Sequence, residues 1–215
     1  MKRCVLACCA AAAPWPTAAG QTTINAPGLF ERDQAEILAD AFGGAFSQSG
    51  TDLIGDTIRA IRVDDESDQT WNAGTYDVAI IGRESLFNTK FGYATEDDSF
   101  ERVLRTTSGP KCATITVEDD FAWAVKNHAL LGGNVYTSEN EANSDGRDHM
   151  VTYQLLDGDR AIGYALFFED WGGHFSDNDF NDLAVIVSIV PAPTAALLGF
   201  TSLGVLGVRS NRRVR

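Results

Sequence analysis

The feature that most constrains this chain is a series of short segments in which apolar and polar residues alternate. These segments are 76–81, 100–105, 112–117, 121–125, 150–155, 161–168 and 183–190. A period of two is typical of β-strands, and turn-forming residues such as Ser108-Gly109-Pro110 and Asp157-Gly158-Asp159 separate the segments. Because no helical pattern lies between them, the sequence predicts an all-β domain of the β-sandwich or jelly-roll kind.

The region before this series has a different pattern. Residues 33–46 place Ile37 and Ala41 on one helical face, so a short N-terminal helix is predicted, with Gly43-Gly44 ending or fraying it. A strand over 57–63 is also expected, and the acidic run 64–68 should break it. We therefore divide this part of the chain into a helix and lead-in segment, residues 21–70, and a β-sandwich domain, residues 71–190.

The first twenty residues predict a secretory signal peptide. Lys2 and Arg3 precede an uninterrupted apolar run from Cys4 to Ala13, and small residues follow up to Gly20. Ten apolar residues are too few for a permanent membrane span, which needs roughly 20. We expect cleavage near Ala19 or Gly20 and therefore export of the chain to the periplasm, the outer surface or the extracellular matrix.

Residues 191–215 contain a second targeting pattern. Pro191-Ala192-Pro193 precedes an apolar stretch over 194–208, and four arginines follow it. As a helix of roughly 22 Å, this stretch is short for a hydrocarbon core of roughly 30 Å. The arrangement resembles the PEP-CTERM sorting signals of Gram-negative bacteria. That resemblance implies an exosortase-type processing enzyme as a partner and an inner-membrane anchor before processing, with transient or permanent membrane contact through residues 194–208.

The charge of the chain excludes one class of partner. Removing the two predicted targeting segments leaves eleven basic residues against 30 acidic ones. Phosphate groups would be repelled by such a surface, so we expect no nucleic-acid partner. Divalent cations are compatible with it. The acidic clusters near Asp64, Asp97 and Asp119 are interpreted as solvated turns.

Oxygen-bearing side chains are densest in residues 168–183, which we call the acidic loop. Five carboxylates and two amides lie within fourteen residues around a Gly-Gly turn. Such a loop either splays into solvent or recruits a cation, and Ca²⁺ takes six to eight oxygens. Asp177, Asp179 and Asn181 follow at two-residue steps, as at the start of an EF-hand loop, but Asp182 replaces the required glycine. A solvated turn with side-chain caps is the alternative.

A family resemblance joins the acidic loop to an upstream stretch. Residues 143–149 (Asn-Ser-Asp-Gly-Arg-Asp-His), 168–170 (Phe-Glu-Asp) and 177–182 (Asp-Asn-Asp-Phe-Asn-Asp) occur in this order. They resemble the bacterial extracellular domain of unknown function 4114 over about residues 113–190. The resemblance implies an all-β surface domain with a Ca²⁺ site and no established activity. The implied ligands are Glu169, Asp170, Asp177, Asp179, Asn181 and Asp182, with Asp148 as an additional candidate.

His149 has a structural role in this interpretation. Since Ca²⁺ prefers oxygen ligands, we expect His149 to hydrogen-bond to a nearby carboxylate or backbone carbonyl rather than to bind the ion.

Three functions remain open from the sequence. The first is a non-catalytic, Ca²⁺-stabilised surface or matrix domain linked to exopolysaccharide or biofilm, with Trp71, Trp123 and Trp171 as a sugar-stacking face. The second is an extracellular glycoside hydrolase that uses paired carboxylates such as Glu169 and Asp179. The third is a structural sandwich without a ligand. We expect no enzyme, because no nucleophile, zinc-protease or phosphate-loop motif occurs.

Overall fold

The computed structural model describes residues 21–85, 87–96, 99–128, 133–173 and 176–191. The predicted signal peptide and all of the predicted sorting signal except Pro191 lie outside these residues. The described part contains one α-helix, α1 (Gln34–Phe42), and a short 3₁₀ helix, Asn140–Ala142. Its strands are β1 (Phe46–Ser49), β2 (Asp52–Gly55), β3 (Ile58–Arg62), β4 (Gly74–Gly82), β5 (Lys90–Ala94), β6 (Phe100–Arg105), β7 (Cys112–Val117), β8 (Ala122–Lys126), β9 (Val135–Thr137), β10 (Met150–Asp157), β11 (Arg160–Phe168) and β12 (Leu183–Ile189).

The strands form two antiparallel sheets. The larger sheet has the order β1-β2-β3-β10-β11-β12-β4-β7, and the smaller has the order β6-β5-β8-β9. Strands β10, β11 and β12 at the centre of the larger sheet are sequential neighbours, with Phe168 paired to Met150 on one side and Leu183 on the other. The all-β, sandwich-like fold class is confirmed.

The main core lies between the two sheets. Leu166, Val185 and Val78 of the larger sheet pack in the same cluster as Phe91 and Trp123 of the smaller sheet. Aromatic rings fill much of this space, since Phe91 stacks on Trp123 with ring centroids 5.1 Å apart. Burial of these apolar groups is the principal force that holds the sheets together.

A second core covers the opposite face of the larger sheet. Alternate residues of β11 divide between the two cores: Leu166 and Phe168 face the smaller sheet, while Ala165 and Phe167 belong to the second cluster. Helix α1 covers this second face with Ile37, which is fully buried. The central strands are therefore apolar on both faces, which accounts for their nearly continuous hydrophobic runs.

The helix is shorter than the sequence predicted. Asp33 accepts a hydrogen bond from the amide of Glu36 at 2.7 Å, and the two residues form a capping box at the helix start. Gly43 and Gly44 both have positive φ angles, 83° and 81°, which end the helix at Phe42. Phe46, expected at the end of the helix, instead begins β1.

Each of the seven strands predicted from alternation corresponds to a strand of the structure, and 100–105 and 112–117 have the predicted bounds. The predicted strand 57–63 is β3. Strands β1, β2, β5 and β9 were not anticipated. The lead-in segment, residues 21–70, thus contributes three strands to the larger sheet, where β3 pairs with β10.

No helix within the described ranges is long and apolar enough to cross a membrane. The predicted span over 194–208 lies outside those ranges.

Candidate metal centre

The acidic loop crosses one end of the sandwich, between the end of β11 and the start of β12. Asn178 and Phe180 have positive φ angles, 58° and 53°, which are uncommon outside glycine. The ring of Phe180 is fully buried in the second core. Packing of this ring offsets the backbone strain and fixes the positions of the two neighbours of Phe180, Asp179 and Asn181.

The N-terminal segment packs against the acidic loop. The amide of Asn25 donates to the carbonyl oxygen of Asn178 at 2.9 Å. The side chain of Gln34 on α1 donates to the carbonyl oxygen of Phe180 at 3.3 Å, and the side-chain amide of Asn181 donates to the carbonyl oxygen of Arg32 at 3.1 Å. These contacts bring a residue from far along the chain, Glu31, to the loop.

Glu31, Asp177 and Asp179 form an arrangement that we call the acidic triad. One carboxylate oxygen from each residue lies within 4.8 Å of the other two. Asp177 is exposed, Glu31 is partly exposed and Asp179 is buried. The triad therefore opens to solvent on one side and reaches into the protein on the other. Carboxylate oxygens at this spacing are suitable ligands for a hard divalent cation.

Asp179 has a buried carboxylate oxygen that no group of the protein satisfies. One of its oxygens accepts from the amide of Asn181 at 3.2 Å, and the other, Oδ2, is buried without a hydrogen-bond partner. Burial and the charge of Asp177 raise the pKa of Asp179 to about 6. A cation bound in the triad would supply the missing partner for Oδ2.

Glu169 and Asp182 form a carboxyl pair that is electrostatically coupled to the triad. Their side chains hydrogen-bond to each other, so one of the two must carry a proton when no cation is bound. Burial raises the pKa of both groups; the charges of Asp177 and Asp179 add to the effect at Glu169, and that of Asp170 adds to it at Asp182. Glu169 Oε2 has no hydrogen-bond partner. This electrostatic coupling places the carboxyl pair next to the triad.

Asp170, another predicted ligand, lies in a different environment from the triad and the carboxyl pair. Its Oδ2 accepts hydrogen bonds from Ser85 Oγ at 2.7 Å and from Thr89 Oγ1 at 2.6 Å. Its backbone amide donates to Asp182 Oδ2 at 2.8 Å. Asp170 therefore fastens the acidic loop to the segment between β4 and β5. Its other oxygen, Oδ1, remains buried without a partner.

The predicted ligand set is thus distributed over three environments. Asp177 and Asp179 come together with Glu31, which sequence reasoning missed. Glu169 and Asp182 form the carboxyl pair, while Asp170 and the side-chain nitrogen of Asn181 hold neighbouring segments. Glu31 is 146 positions before Asp177, and nothing in its local sequence indicates that the two meet.

His149 links the acidic loop to the preceding stretch, as expected. Its Nδ1 lies 3.1 Å from the carbonyl oxygen of Glu169, and its Nε2 lies 3.1 Å from Asp145 Oδ1. The ring stacks on Tyr136 with centroids 3.9 Å apart. At Asp145, burial favours a raised pKa, but the amide of Gly173 and His149 outweigh it, so the pKa is lowered. The prediction that His149 is a structural hydrogen-bonding residue is confirmed.

Asp148 lies in a separate group that we call the Arg62 cluster: Arg62, Asp65, Asp68 and Asp148. Arg62 is buried and pairs with Asp65 Oδ1 at 2.8 Å. The charge of Arg62 also acts on Asp68 and Asp148, and burial raises the pKa of both. The acidic run near Asp64 was interpreted as a solvated turn, which is wrong for two of its members: Asp65 and Asp68 are only 5% and 1% exposed.

Two of the three tryptophans in the predicted sugar-stacking face are internal. Trp71 and Trp123 are 5% and 0% exposed and lie in the core between the sheets. Trp171 contacts Phe87, with ring centroids 5.2 Å apart. Strand tryptophans with this degree of burial stabilise the core and are closed to a ligand.

Comparison with known proteins gives one match. Residues 96–189 match the model of a family described as a domain of unknown function (DUF4114). The matched segment runs from β6 to β12 and contains the acidic loop, so the resemblance seen in the motifs is supported over a somewhat longer stretch than 113–190. Glu31 and Arg62 lie before it. No curated protein and no solved structure matches the chain.

Proposed function

We propose that this chain is an exported, non-catalytic surface or matrix domain whose acidic loop is stabilised by Ca²⁺. The observation that carries the proposal is the acidic triad, in which Asp179 Oδ2 is buried without a partner. All its side-chain ligands are carboxylates, which suit Ca²⁺. The family match supplies no activity, so the function is argued from this site.

Charge balance supports a cation rather than a solvated turn. Among the described residues, no salt bridge reaches Glu31, Asp177, Asp179 or the carboxyl pair. The nearest arginine in sequence, Arg32, pairs instead with Asp40 at 2.6 Å and Glu84 at 2.5 Å. The carboxylates of a fully solvated turn would be exposed to water, whereas Asp179 and Glu169 are only 3% and 2% exposed. Leaving such carboxylates uncompensated costs stability.

The hydrolase alternative has less support. Glycoside hydrolysis requires that a sugar reach both carboxyl groups. Glu169 and Asp179 are both buried, and Glu169 is engaged with Asp182. A link to exopolysaccharide also loses its aromatic face, because Trp71 and Trp123 are internal.

Thermal unfolding of the whole chain tests the proposal. Extracellular Ca²⁺ modules bind at about 10⁻⁴ to 10⁻³ M, and a hundredfold excess over Kd adds about 2.7 kcal/mol to the free energy of unfolding. We expect Ca²⁺ to raise the Tm by several degrees relative to chelator, with a smaller rise for Mg²⁺. The rise should disappear in Asp179→Asn and persist in Asp119→Asn, whose carboxylate is exposed at the other end of the sandwich. Equal rises in both variants would refute the assignment.

A further inference from the structure

A pair of exposed apolar side chains lies directly beside the acidic triad. Leu29 is 89% exposed and Phe30 is 102% exposed. We call these two residues the apolar tip. Among the described residues, the other exposed large apolar side chain is Ile189, which is 38% exposed and lies at the end of β12 that is far from the acidic loop. Two such side chains side by side on a protruding turn expose apolar surface to water at a cost in free energy.

The turn that presents the apolar tip is closed by Glu31. The amide of Glu31 donates to the carbonyl oxygen of Gly28 at 3.2 Å, and Glu31 Oε2 accepts from the amide of Gly28 at 3.1 Å. Phe30 occupies the third position of this turn with φ 83°. Glycine is the favoured residue there, since a bulky side chain is strained at positive φ. The chain thus keeps a phenylalanine in a conformation that projects its ring outward.

Glu31 belongs to the turn and to the acidic triad at the same time. Its carboxylate accepts the hydrogen bond from Gly28 and also contributes an oxygen within 4.8 Å of Asp177 and Asp179. Glu31 directly follows Phe30 in the chain, so a cation bound by Glu31 in the triad would lie beside the apolar tip. One oxygen from each carboxylate of the triad supplies three of the six to eight oxygens that Ca²⁺ takes, so positions on the exposed Asp177 side remain for other oxygens.

We propose that the apolar tip and the acidic triad together form a cation-dependent docking site for an anionic lipid surface. The inference rests on the proposed Ca²⁺ site. The phosphate oxygens of the lipid would complete the coordination of the ion, while Leu29 and Phe30 enter the boundary between headgroups and acyl chains.

Charge explains why the docking depends on the cation. The chain has a formal net charge of −13, and the triad places further negative charge at the contact. An anionic surface repels such a protein until a divalent ion neutralises the triad and bridges the two. A protein partner is a poorer occupant, because two side chains are far smaller than a stable interface of about 1,000 Å² or more.

The test measures cosedimentation of the whole chain with lipid vesicles. Phosphatidylglycerol and phosphatidylcholine vesicles are compared, each with Ca²⁺ and with chelator. The quantity of interest is the increase in binding that Ca²⁺ causes, since every variant carries the same chain ends. We expect Ca²⁺ to raise binding to the anionic vesicles about tenfold or more, with little increase on the neutral ones.

Variants separate docking from folding. Leu29→Ser/Phe30→Gly should lose the Ca²⁺-dependent increase while its Tm stays equal or rises, because glycine relieves the strain at position 30. Glu31→Gln keeps an acceptor for the Gly28 amide but removes one carboxylate of the triad. This variant should therefore also lose the Ca²⁺-dependent increase in vesicle binding. Ile189→Ser, at the other end of the sandwich, should keep it.

Calorimetric titration with Ca²⁺ alone distinguishes the two proposals. If Ca²⁺ binds but vesicle binding shows no Ca²⁺-dependent increase, the docking inference is wrong and the metal site stands. If the Leu29→Ser/Phe30→Gly variant retains the increase, or neutral vesicles bind equally well, the inference is also overturned. Ca²⁺-dependent dimerisation through the tip without vesicles would identify a second copy as the occupant and contradict the lipid surface.

Discussion

The Arg62 cluster and the acidic loop both bury several carboxyl groups, but they differ in the source of positive charge. In the Arg62 cluster, a buried guanidinium lies 2.8 Å from Asp65 and acts on Asp68 and Asp148. In the acidic loop, the carboxyl groups of the triad and the carboxyl pair have no ion pair with a described arginine, lysine or histidine. The first region contains one positive charge for its three carboxyl groups, while the second contains none among the described residues and has the geometry of a site completed from outside.

The lack of a counter-charge in the acidic loop affects the protonation of its carboxyl groups. Burial, together with repulsion among the carboxylates, raises the pKa of Asp179 to about 6 and also raises those of Glu169 and Asp182, so without a cation the acidic loop lowers its charge by protonation. A bound Ca²⁺ would replace these protons. The two regions should therefore respond differently to loss of a cationic side chain and to chelation.

The largest expected effect is at Arg62. Arg62→Met removes the counter-charge from a buried cluster and should lower the free energy of unfolding by about 3–5 kcal/mol. Denaturant unfolding measures this loss. Arg59→Met is the matched control, because its partner Asp159 is fully solvent-exposed, and it should change little. If Ca²⁺ restored the free energy of unfolding of the Arg62→Met variant, the two regions would not differ in their source of positive charge.

The next prediction concerns pH. In the unfolded chain, carboxyl groups ionise near pH 4, whereas in the fold the pKa of Asp179 is about 6 and those of the carboxyl pair are also raised. As pH rises through this window, the unfolded state releases protons first, so the Ca²⁺-free protein loses stability. Ca²⁺ competes with the protons, and its stabilising effect should grow from about pH 5 to about pH 8.

Thermal melts at both pH values, with chelator and with Ca²⁺, measure this prediction. The Asp179→Asn variant serves as the control, since it should show a weaker fall in Tm with rising pH and no Ca²⁺ effect. A Ca²⁺-free wild-type protein that becomes more stable toward pH 8 would contradict the account of the acidic loop.

A smaller effect is expected at Glu31. Glu31→Gln keeps the hydrogen bond from Gly28 but removes one charged ligand, and should weaken Ca²⁺ binding about tenfold, or about 1.4 kcal/mol. Calorimetric titration measures the affinity. Glu36→Gln, on the exposed side of α1, is the control for general charge. If both variants weaken binding equally, the effect belongs to overall charge rather than to the triad.

The smallest effect is predicted for Asp182→Asn. The hydrogen bond between the two groups raises the pKa of Asp182 and lowers that of Glu169, which places the shared proton on Asp182. An amide at position 182 has the shape of the protonated acid and can donate to Glu169, so the free energy of unfolding should change by less than about 1 kcal/mol. Denaturant unfolding near neutral pH in chelator measures the change. A loss of several kcal/mol would mean that Asp182 is ionised in the fold, contrary to the carboxyl pair described above.

The sequence predicted the central strands because their apolar residues alternate or run continuously. It missed β1 and β9 because the first, Phe46–Ser49, is mostly polar and exposed and the second, Val135–Thr137, has only three residues. Gly92 obscured the pattern of β5: a side chain there would collide with the backbone of Glu101 on β6. Close strand approach, rather than strand propensity, selects that glycine.

The candidate site was predictable only where its residues are local in sequence. Asp177 and Asp179 follow from the spacing of the acidic loop, but Glu31 reaches it through tertiary contacts of residues 25–34. The Arg62 cluster illustrates the same limit, because a run of aspartates appears solvated until a buried arginine is placed among them. Charge density in a sequence indicates that compensation is needed, and the fold determines its source.

The measurement that tests the central claim most directly is a crystal structure of the protein grown with Ca²⁺. The account predicts one ion with carboxylate oxygens of Glu31, Asp177 and Asp179 at about 2.3–2.6 Å. Saturating Ca²⁺ with no ion at the triad, or an ion bound instead within the Arg62 cluster, would contradict the claim that the acidic loop is completed by a cation.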